Sequence, residues 1–249
     1  MITAMIFDLD GTLVESEKLK AQSYAIAVQR MRVLPEPENR AIEAYRDIVG
    51  ASRQVASRHV MDSLNLESEL QPLVAEYGVT EAWEVLSSMR KEIYDDMVAD
   101  PTVLQDNRWP HTIGLLRVAR ETACRTALAT MSYRDEALHV LKALELEQYL
   151  DEVLTREYVA KAKHDPEIYL LAAHKLGVEP QDCLVLEDSP NGVRAGVAAG
   201  MNVIAVATPF TVAGLHSSEV LEHAWVVHEG DNLLDVVKER IANHNRSAH

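Results

Sequence analysis

Short apolar runs recur along this chain, separated by long amphipathic stretches, and that alternation constrains the fold more than any other feature. A strand that reads as a near-continuous apolar run is buried on both faces, as happens when helices cover both sides of a parallel sheet. The runs are Ile2–Phe7, Thr126–Thr130, Cys183–Leu186, Val203–Ala207 and Trp225–Val227, with a weaker one at Val153–Leu154. Arg134–Leu144 and Pro166–Leu176 lie between them and have helical periodicity. Asp165 and Pro166 suit the start of the second helix, and Gly177 with Pro180 its end. Ser189-Pro190 opens a further helix that Gly200 closes.

Residues from about 15 to 100 read differently. They show helical periodicity with few strand candidates, broken at Leu34-Pro35-Glu36-Pro37, Val49-Gly50 and Tyr77-Gly78. Thr80–Val98 reads as one long helix, with Trp83 in packing and the alternating charges of Glu81–Asp96 on a solvated face. The expected architecture is an α/β core, residues 1–14 and 101–249, interrupted by a helical cap over residues 15–100.

Composition bounds the function. The 249 residues are 47% hydrophobic and 25% charged, an ordinary globular mix that excludes a disordered or collagenous chain. The formal charge of −15 repels polyanions, so nucleic acid and membranes are not expected partners. Cys124 and Cys183 allow at most one bridge, which points to buried thiols in a reducing compartment. The first apolar run meets Asp8 after seven residues and has no signal-peptide pattern. No run approaches the roughly 18–20 apolar residues that span a bilayer, so a cytoplasmic protein is expected, as a monomer or small homo-oligomer. His244 and His249 fall in a polar C-terminal stretch with no companion ligand pattern.

Two of the strands end in carboxylates. Phe7-Asp8-Leu9-Asp10-Gly11-Thr12 follows the first apolar run, and the carboxyl ends of parallel strands open onto the ligand crevice. Two acids so close repel unless a cation or shared proton intervenes, and with a hard divalent ion they could bind Mg²⁺ through oxygen. They would also supply a nucleophile and an acid/base; the plain alternative is a helix cap or turn built from Asp-Gly. Leu184-Val185-Leu186-Glu187-Asp188-Ser189-Pro190-Asn191-Gly192 repeats the design at a second strand end, with helix capping by Asp188 or Ser189 as its plain alternative.

Asp8–Thr12 and Leu186–Met201 resemble the first and last motifs of the haloacid dehalogenase-like superfamily. The superfamily's hydroxyl residue at a second strand end matches Thr130, and its phosphate-binding lysine matches Lys163. The resemblance spans nearly the whole chain with all four motifs in order, and it is nearest to the β-phosphoglucomutase and phosphatase members with a helical cap. It implies a Rossmann-like parallel sheet for the core. Met131 and His164 depart from the residues relatives often carry, Asn and Pro, and Lys161 rivals Lys163. Lys163 is preferred because its distance to Pro166-Glu167-Ile168-Tyr169 fits the family pattern.

The resemblance implies a Mg²⁺-dependent phosphatase acting on a small phosphorylated metabolite, a sugar phosphate being the expected case. Asp8 would attack phosphorus and form an aspartyl-phosphate, while Asp10 would protonate the leaving alcohol and then activate water. Mg²⁺ would be held by an Asp8 oxygen, the Asp10 backbone carbonyl and Asp188, with Glu187 nearby through water or hydrogen bonds. Thr130 and Lys163 would bind the phosphoryl oxygens. Relatives that break carbon–halogen bonds lack the counterpart of Asp10, so dehalogenation is disfavoured.

The cap would select the substrate. Gly50-Ala51-Ser52-Arg53 resembles the phosphosugar-contacting loop of β-phosphoglucomutase-like members, and the fork of Arg53 suits a distal phosphate or hydroxyl. A solvent-exposed arginine opening a helix is the alternative. Ser132 and Arg134 are candidates on the core side, and Glu15 and Lys20 lie in the segment leading into the cap. The mutases usually carry His where this chain has Lys20 and often Val where it has Thr12, so hydrolysis is expected over isomerisation. A phosphoglucomutase-type isomerase and a non-catalytic phosphometabolite-binding protein remain the alternatives.

Overall fold

A computed structural model describes residues 1–228 and 230–247; His249 lies outside them. Among the described residues six strands form one parallel sheet: β1 (Ala4–Phe7), β2 (Arg125–Ala129), β3 (Glu152–Leu154), β4 (Cys183–Glu187), β5 (Asn202–Val206) and β6 (Val226–Val227). Their order is β3-β2-β1-β4-β5-β6. All six apolar runs of the sequence are therefore strands, with ends shifted by one or two residues. Every side chain of β1 and β4 is buried, which is why Ala4–Phe7 and Cys183–Leu186 read as unbroken apolar runs. The large apolar side chains among them, Ile6, Phe7, Leu184, Val185 and Leu186, each contribute roughly 1.5–3 kcal/mol by leaving water.

Backbone contacts divide the chain into two compact units, Met1–Glu15 with the chain from Leu104 onward, and Ser16–Val103. The second unit is helical: α1 (Ser16–Arg32), α2 (Asn39–Arg46), α3 (Arg53–Ser63), α4 (Glu67–Leu70) and α5 (Ala82–Val98). The three predicted breaks fall between helices. The long helix starts at Ala82 instead of Thr80, because the Glu84 carboxylate collects the backbone N–H groups of Thr80 and Glu81, both at 2.9 Å, in a capping box. This unit has its own core, with Tyr24, Leu66, Leu70 and Leu86 fully buried. Trp83 is half-buried beneath the Arg58 guanidinium, 5.3 Å from its ring centre.

One expectation for α5 is corrected. Arg90 lies within the run assigned to a solvated face, yet it is buried, its guanidinium 5.7 Å and 5.6 Å from the ring centres of Tyr24 and Tyr94. Aromatic faces attract a guanidinium and offset part of its desolvation.

The remaining helices are α6 (Pro101–Asp106), α7 (Pro110–Glu121), α8 (Arg134–Ala143), α9 (Glu167–Leu176), α10 (Pro190–Ala198), α11 (Val212–Ser218) and α12 (Leu233–Ser247). The punctuation read from the sequence works locally. Asp165 accepts from the Glu167 N–H at 3.1 Å to start α9, and Ser189 accepts from the Gly192 N–H at 3.1 Å to start α10. The C-terminal stretch is helix α12 rather than a polar tail, and His244 lies 3.6 Å from the Asp182 carboxylate. Both cysteines are free; Cys183 is buried and Cys124 half-buried, and burial pushes their thiols up to about 12 and about 11. No helix among the described residues is long and apolar enough to cross a membrane.

Candidate active site

The sheet order decides which loops meet. From β1 the chain passes to β2 and then β3 on one side, and β4 returns to the opposite side of β1. The crevice at such a reversal is where open parallel sheets bind ligands. Phe7 is level with Leu128 on β2 and with Leu186 on β4, so the residues after them line up at one end of the sheet. Those residues are Asp8, Thr130 one step past Ala129, Glu187 and Asp188. The Asp8 N–H continues the ladder to the Leu186 carbonyl at 3.0 Å.

Asp8, Glu187 and Asp188 are buried, and their carboxylates each present an oxygen within 4.8 Å of the others. Lys163 Nζ reaches into this group, donating to Asp8 Oδ1 and, at 2.5 Å, to Glu187 Oε1. Tyr169 Oη donates to the same Glu187 oxygen at 3.0 Å. Glu187 Oε2 accepts from the Asp188 N–H at 2.9 Å, the Ser189 N–H at 2.8 Å and the Ser189 hydroxyl at 3.0 Å. Glu187 is thus filled with donors and organises both the lysine and the turn that carries Asp188.

Three carboxylates against one ammonium leave the cluster with excess negative charge out of water. Burial is the largest influence on Asp8 and raises it to about 8, with Glu187 and Asp10 adding to the rise and Lys163 opposing it. Lys163 is held well above the usual lysine range: the attraction of Asp8 and Glu187 outweighs the largest single influence, burial, which acts the other way. It stays an ammonium. Hard oxygen donors with surplus charge are the donor set a divalent cation such as Mg²⁺ requires. The residues present fit that ion.

Two glycines make the geometry possible. Gly11 has φ +79°, and a Cβ there would lie 2.1 Å from Asp188 Oδ2, so the turn can approach the carboxylate only without a side chain. A Cβ on Gly192 would lie 1.7 Å from Glu187 Oε1. The Gly11 N–H bonds the Val14 carbonyl at 2.7 Å, closing the turn that carries Asp10.

The predicted residues divide into groups. Asp8, Lys163, Glu187 and Asp188 come together in one cluster, and the Asp10 carboxylate accepts from the Ser132 hydroxyl at 2.5 Å. Thr130 Oγ1 accepts from the Ser132 N–H at 3.0 Å. Lys161 is exposed and pairs with Asp165 at 2.7 Å, so the lysine on Asp8 is Lys163. Arg134 opens α8 with an exposed side chain, its N–H held by Glu157 at 2.9 Å. In the helical unit Ser52 caps α3 through a 3.4 Å bond from the Val55 N–H, Arg53 begins that helix, and Lys20 is half-buried on α1. Tyr169 was not singled out as a site residue. Its place in the Pro166-Glu167-Ile168-Tyr169 run shortly after Lys163 is the signal the sequence offered.

The chain is 29% identical over 238 residues to a phosphorylated carbohydrates phosphatase of Thermotoga maritima, covering 95% of this chain and 98% of that one. It is 30% identical over 221 residues to hexitol phosphatase A of Escherichia coli, covering 88% and 89%. The crystal structure of a β-phosphoglucomutase from Clostridium difficile has the same fold, with a TM-score of 0.70, 20% identity and coverage of 100% and 99%. The sequence model of the haloacid dehalogenase-like hydrolases matches residues 2–200, which include Asp8, Thr130, Lys163 and Asp188. The chain belongs to the haloacid dehalogenase-like hydrolase family.

Proposed function

We propose that this hydrolase is a Mg²⁺-dependent phosphatase of small phosphorylated carbohydrates, working through an aspartyl-phosphate on Asp8. The observation that carries the reading is the contact of Lys163 Nζ with Asp8 inside a buried carboxylate cluster, with Asp10 held by Ser132 on the adjoining turn. The names of the Thermotoga maritima and Escherichia coli relatives support a carbohydrate phosphate as substrate.

Asp8 Oδ would attack phosphorus as the bond to the leaving oxygen breaks, and Asp10 would give that oxygen its proton. Water would then attack the phosphoryl group, losing a proton to Asp10 and releasing inorganic phosphate and free Asp8. Lys163 would neutralise the phosphoryl oxygens. Thr130 Oγ1 accepts from Ser132, which leaves its own proton for a phosphoryl oxygen. Asp8 and Asp188 would hold Mg²⁺, since the oxygens of Glu187 are taken by other donors. When bound, Mg²⁺ supplies positive charge that polarises the phosphoryl group and favours the ionised carboxylates.

The test is phosphate release with Mg²⁺ across a panel of sugar phosphates and other phosphometabolites, beside interconversion of β-glucose 1-phosphate and glucose 6-phosphate primed by a bisphosphate. Release from a sugar phosphate, abolished in a folded Asp8→Asn variant, is expected. Interconversion faster than release would make the enzyme an isomerase, and wild-type rates in Asp8→Asn would remove the nucleophile assignment.

A further inference from the structure

Lys163 is shared between two carboxylates, Asp8 and Glu187. Its ammonium donates both to Asp8 Oδ1 and to Glu187 Oε1. A buried cation between two anions moves towards the one whose charge is less satisfied. Glu187 Oε1 has a second donor, the Tyr169 hydroxyl at 3.0 Å, whereas Glu187 Oε2 is saturated by the Asp188 and Ser189 groups.

Tyr169 is fully buried on α9, and its ring centre lies 5.3 Å from Lys163 Nζ. Its hydroxyl lies within hydrogen-bond reach of the lysine as well as donating to the lysine's partner, Glu187. Burial and the adjacent Glu187 charge hold its phenol well above the usual range, so the hydroxyl keeps its proton and can only donate to the carboxylate. Hydrogen bonds to charged acceptors are among the stronger ones in proteins, and in a dry site they redistribute charge along the network.

We propose that Tyr169 is a positioning residue: its hydroxyl, by occupying Glu187 Oε1, keeps Lys163 directed at Asp8 and the phosphoryl group beside it. The proposal rests on the phosphatase reading above. Without the hydroxyl, Glu187 Oε1 has Lys163 alone, and the ammonium is drawn back from the nucleophile towards β4.

The experiment compares wild type with Tyr169→Phe, which keeps the ring and deletes the donor. Two readouts are independent of turnover: the side-chain ¹⁵N resonance of the Lys163 ammonium, and binding of inorganic phosphate to the Mg²⁺-loaded protein. The expected results are a shifted Lys163 resonance, weaker phosphate binding, and kcat lowered about ten-fold. A role confined to stability would lower the melting temperature and leave the resonance and phosphate affinity of the folded fraction unchanged, which would overturn the proposal. Should Tyr169→Phe fail to fold, 3-fluorotyrosine at position 169 keeps ring and hydroxyl while strengthening the donor. A displaced Lys163 resonance then supports the proposal, and an unmoved one overturns it. Absence of phosphate release by the wild-type protein would instead sink the phosphatase reading, and the resonance comparison would still decide the role of Tyr169.

Discussion

The Ser132 hydroxyl donates to Asp10 Oδ2 at 2.5 Å, joining the turn after β1 to the turn after β2. Ser132, a candidate substrate ligand by sequence, thus holds the carboxylate of the residue proposed as acid/base. A hydrogen bond to a charged group contributes about 1.5–3 kcal/mol. Ser132→Ala should lower kcat about ten-fold in steady-state assays and lower the melting temperature by about 3–10 °C. Wild-type kcat in that variant would show that Asp10 needs no such tether.

Asp8 gives the metal-free protein a distinctive pH dependence. Its folded value of about 8 stands above the ordinary 3.8, raised first by burial. The folded state therefore holds a proton that the unfolded chain releases. Stability from this group is fully present below about pH 4 and is lost as pH rises through 8. In denaturant titrations with chelator present, wild type should weaken relative to Asp8→Asn between pH 5 and 8. Mg²⁺ bound at Asp8 as proposed would compete with that proton, so the Mg²⁺ concentration giving half-maximal thermal stabilisation should fall over the same range. A stability difference that does not vary with pH would contradict the assignment.

The same chemical change should have opposite signs at two glycines. Gly192→Ala places a methyl 1.7 Å from Glu187 Oε1, so Glu187 or α10 must move. Overpacking of this kind costs roughly 1–3 kcal/mol, and displacing the partner of Lys163 should also cut kcat at least ten-fold. Gly114, inside α7, has no atom within 4 Å of the corresponding position, and Gly114→Ala should stabilise by about 0.5–1 kcal/mol. Chemical denaturation of the two variants provides the comparison.

His164 follows Lys163 with φ +128°, a conformation that L side chains rarely adopt. Such strain costs on the order of 1–3 kcal/mol. His164→Gly should recover about 1 kcal/mol in unfolding experiments. His164→Pro should lose both stability and activity, because proline holds φ near −65° and cannot place Lys163 as His164 does. A neutral His164→Gly would mean that the surrounding contacts already relieve the strain.

The fold was legible where burial dictates composition. Strands such as Ala4–Phe7 and Cys183–Glu187 are covered on both faces, and no polar side chain within them could be solvated. Boundaries were less legible, since a single capping contact moves them; Glu84 does this at the start of α5. Arg90 shows the limit of reading charge as surface. Its burial depends on Tyr24, 66 residues away, and on Tyr94, and neither partner is visible as such in a linear pattern.

For the site, the acids at two strand ends were legible because a parallel sheet sends its carboxyl ends to one edge, and their spacing fits a known motif set. The sequence by itself determined the apolar strand cores, the helical insert, the acidic turns at Asp8–Gly11 and Glu187–Asp188, and a nearby lysine. Only the tertiary structure decided that Lys163 rather than Lys161 meets Asp8, that Ser132 holds Asp10, and that Tyr169 shares Glu187. The physical reason is the range of the interactions. Periodicity and capping act over a few residues, whereas these hydrogen bonds join groups that approach only when the strand order β2-β1-β4 sets three distant turns side by side.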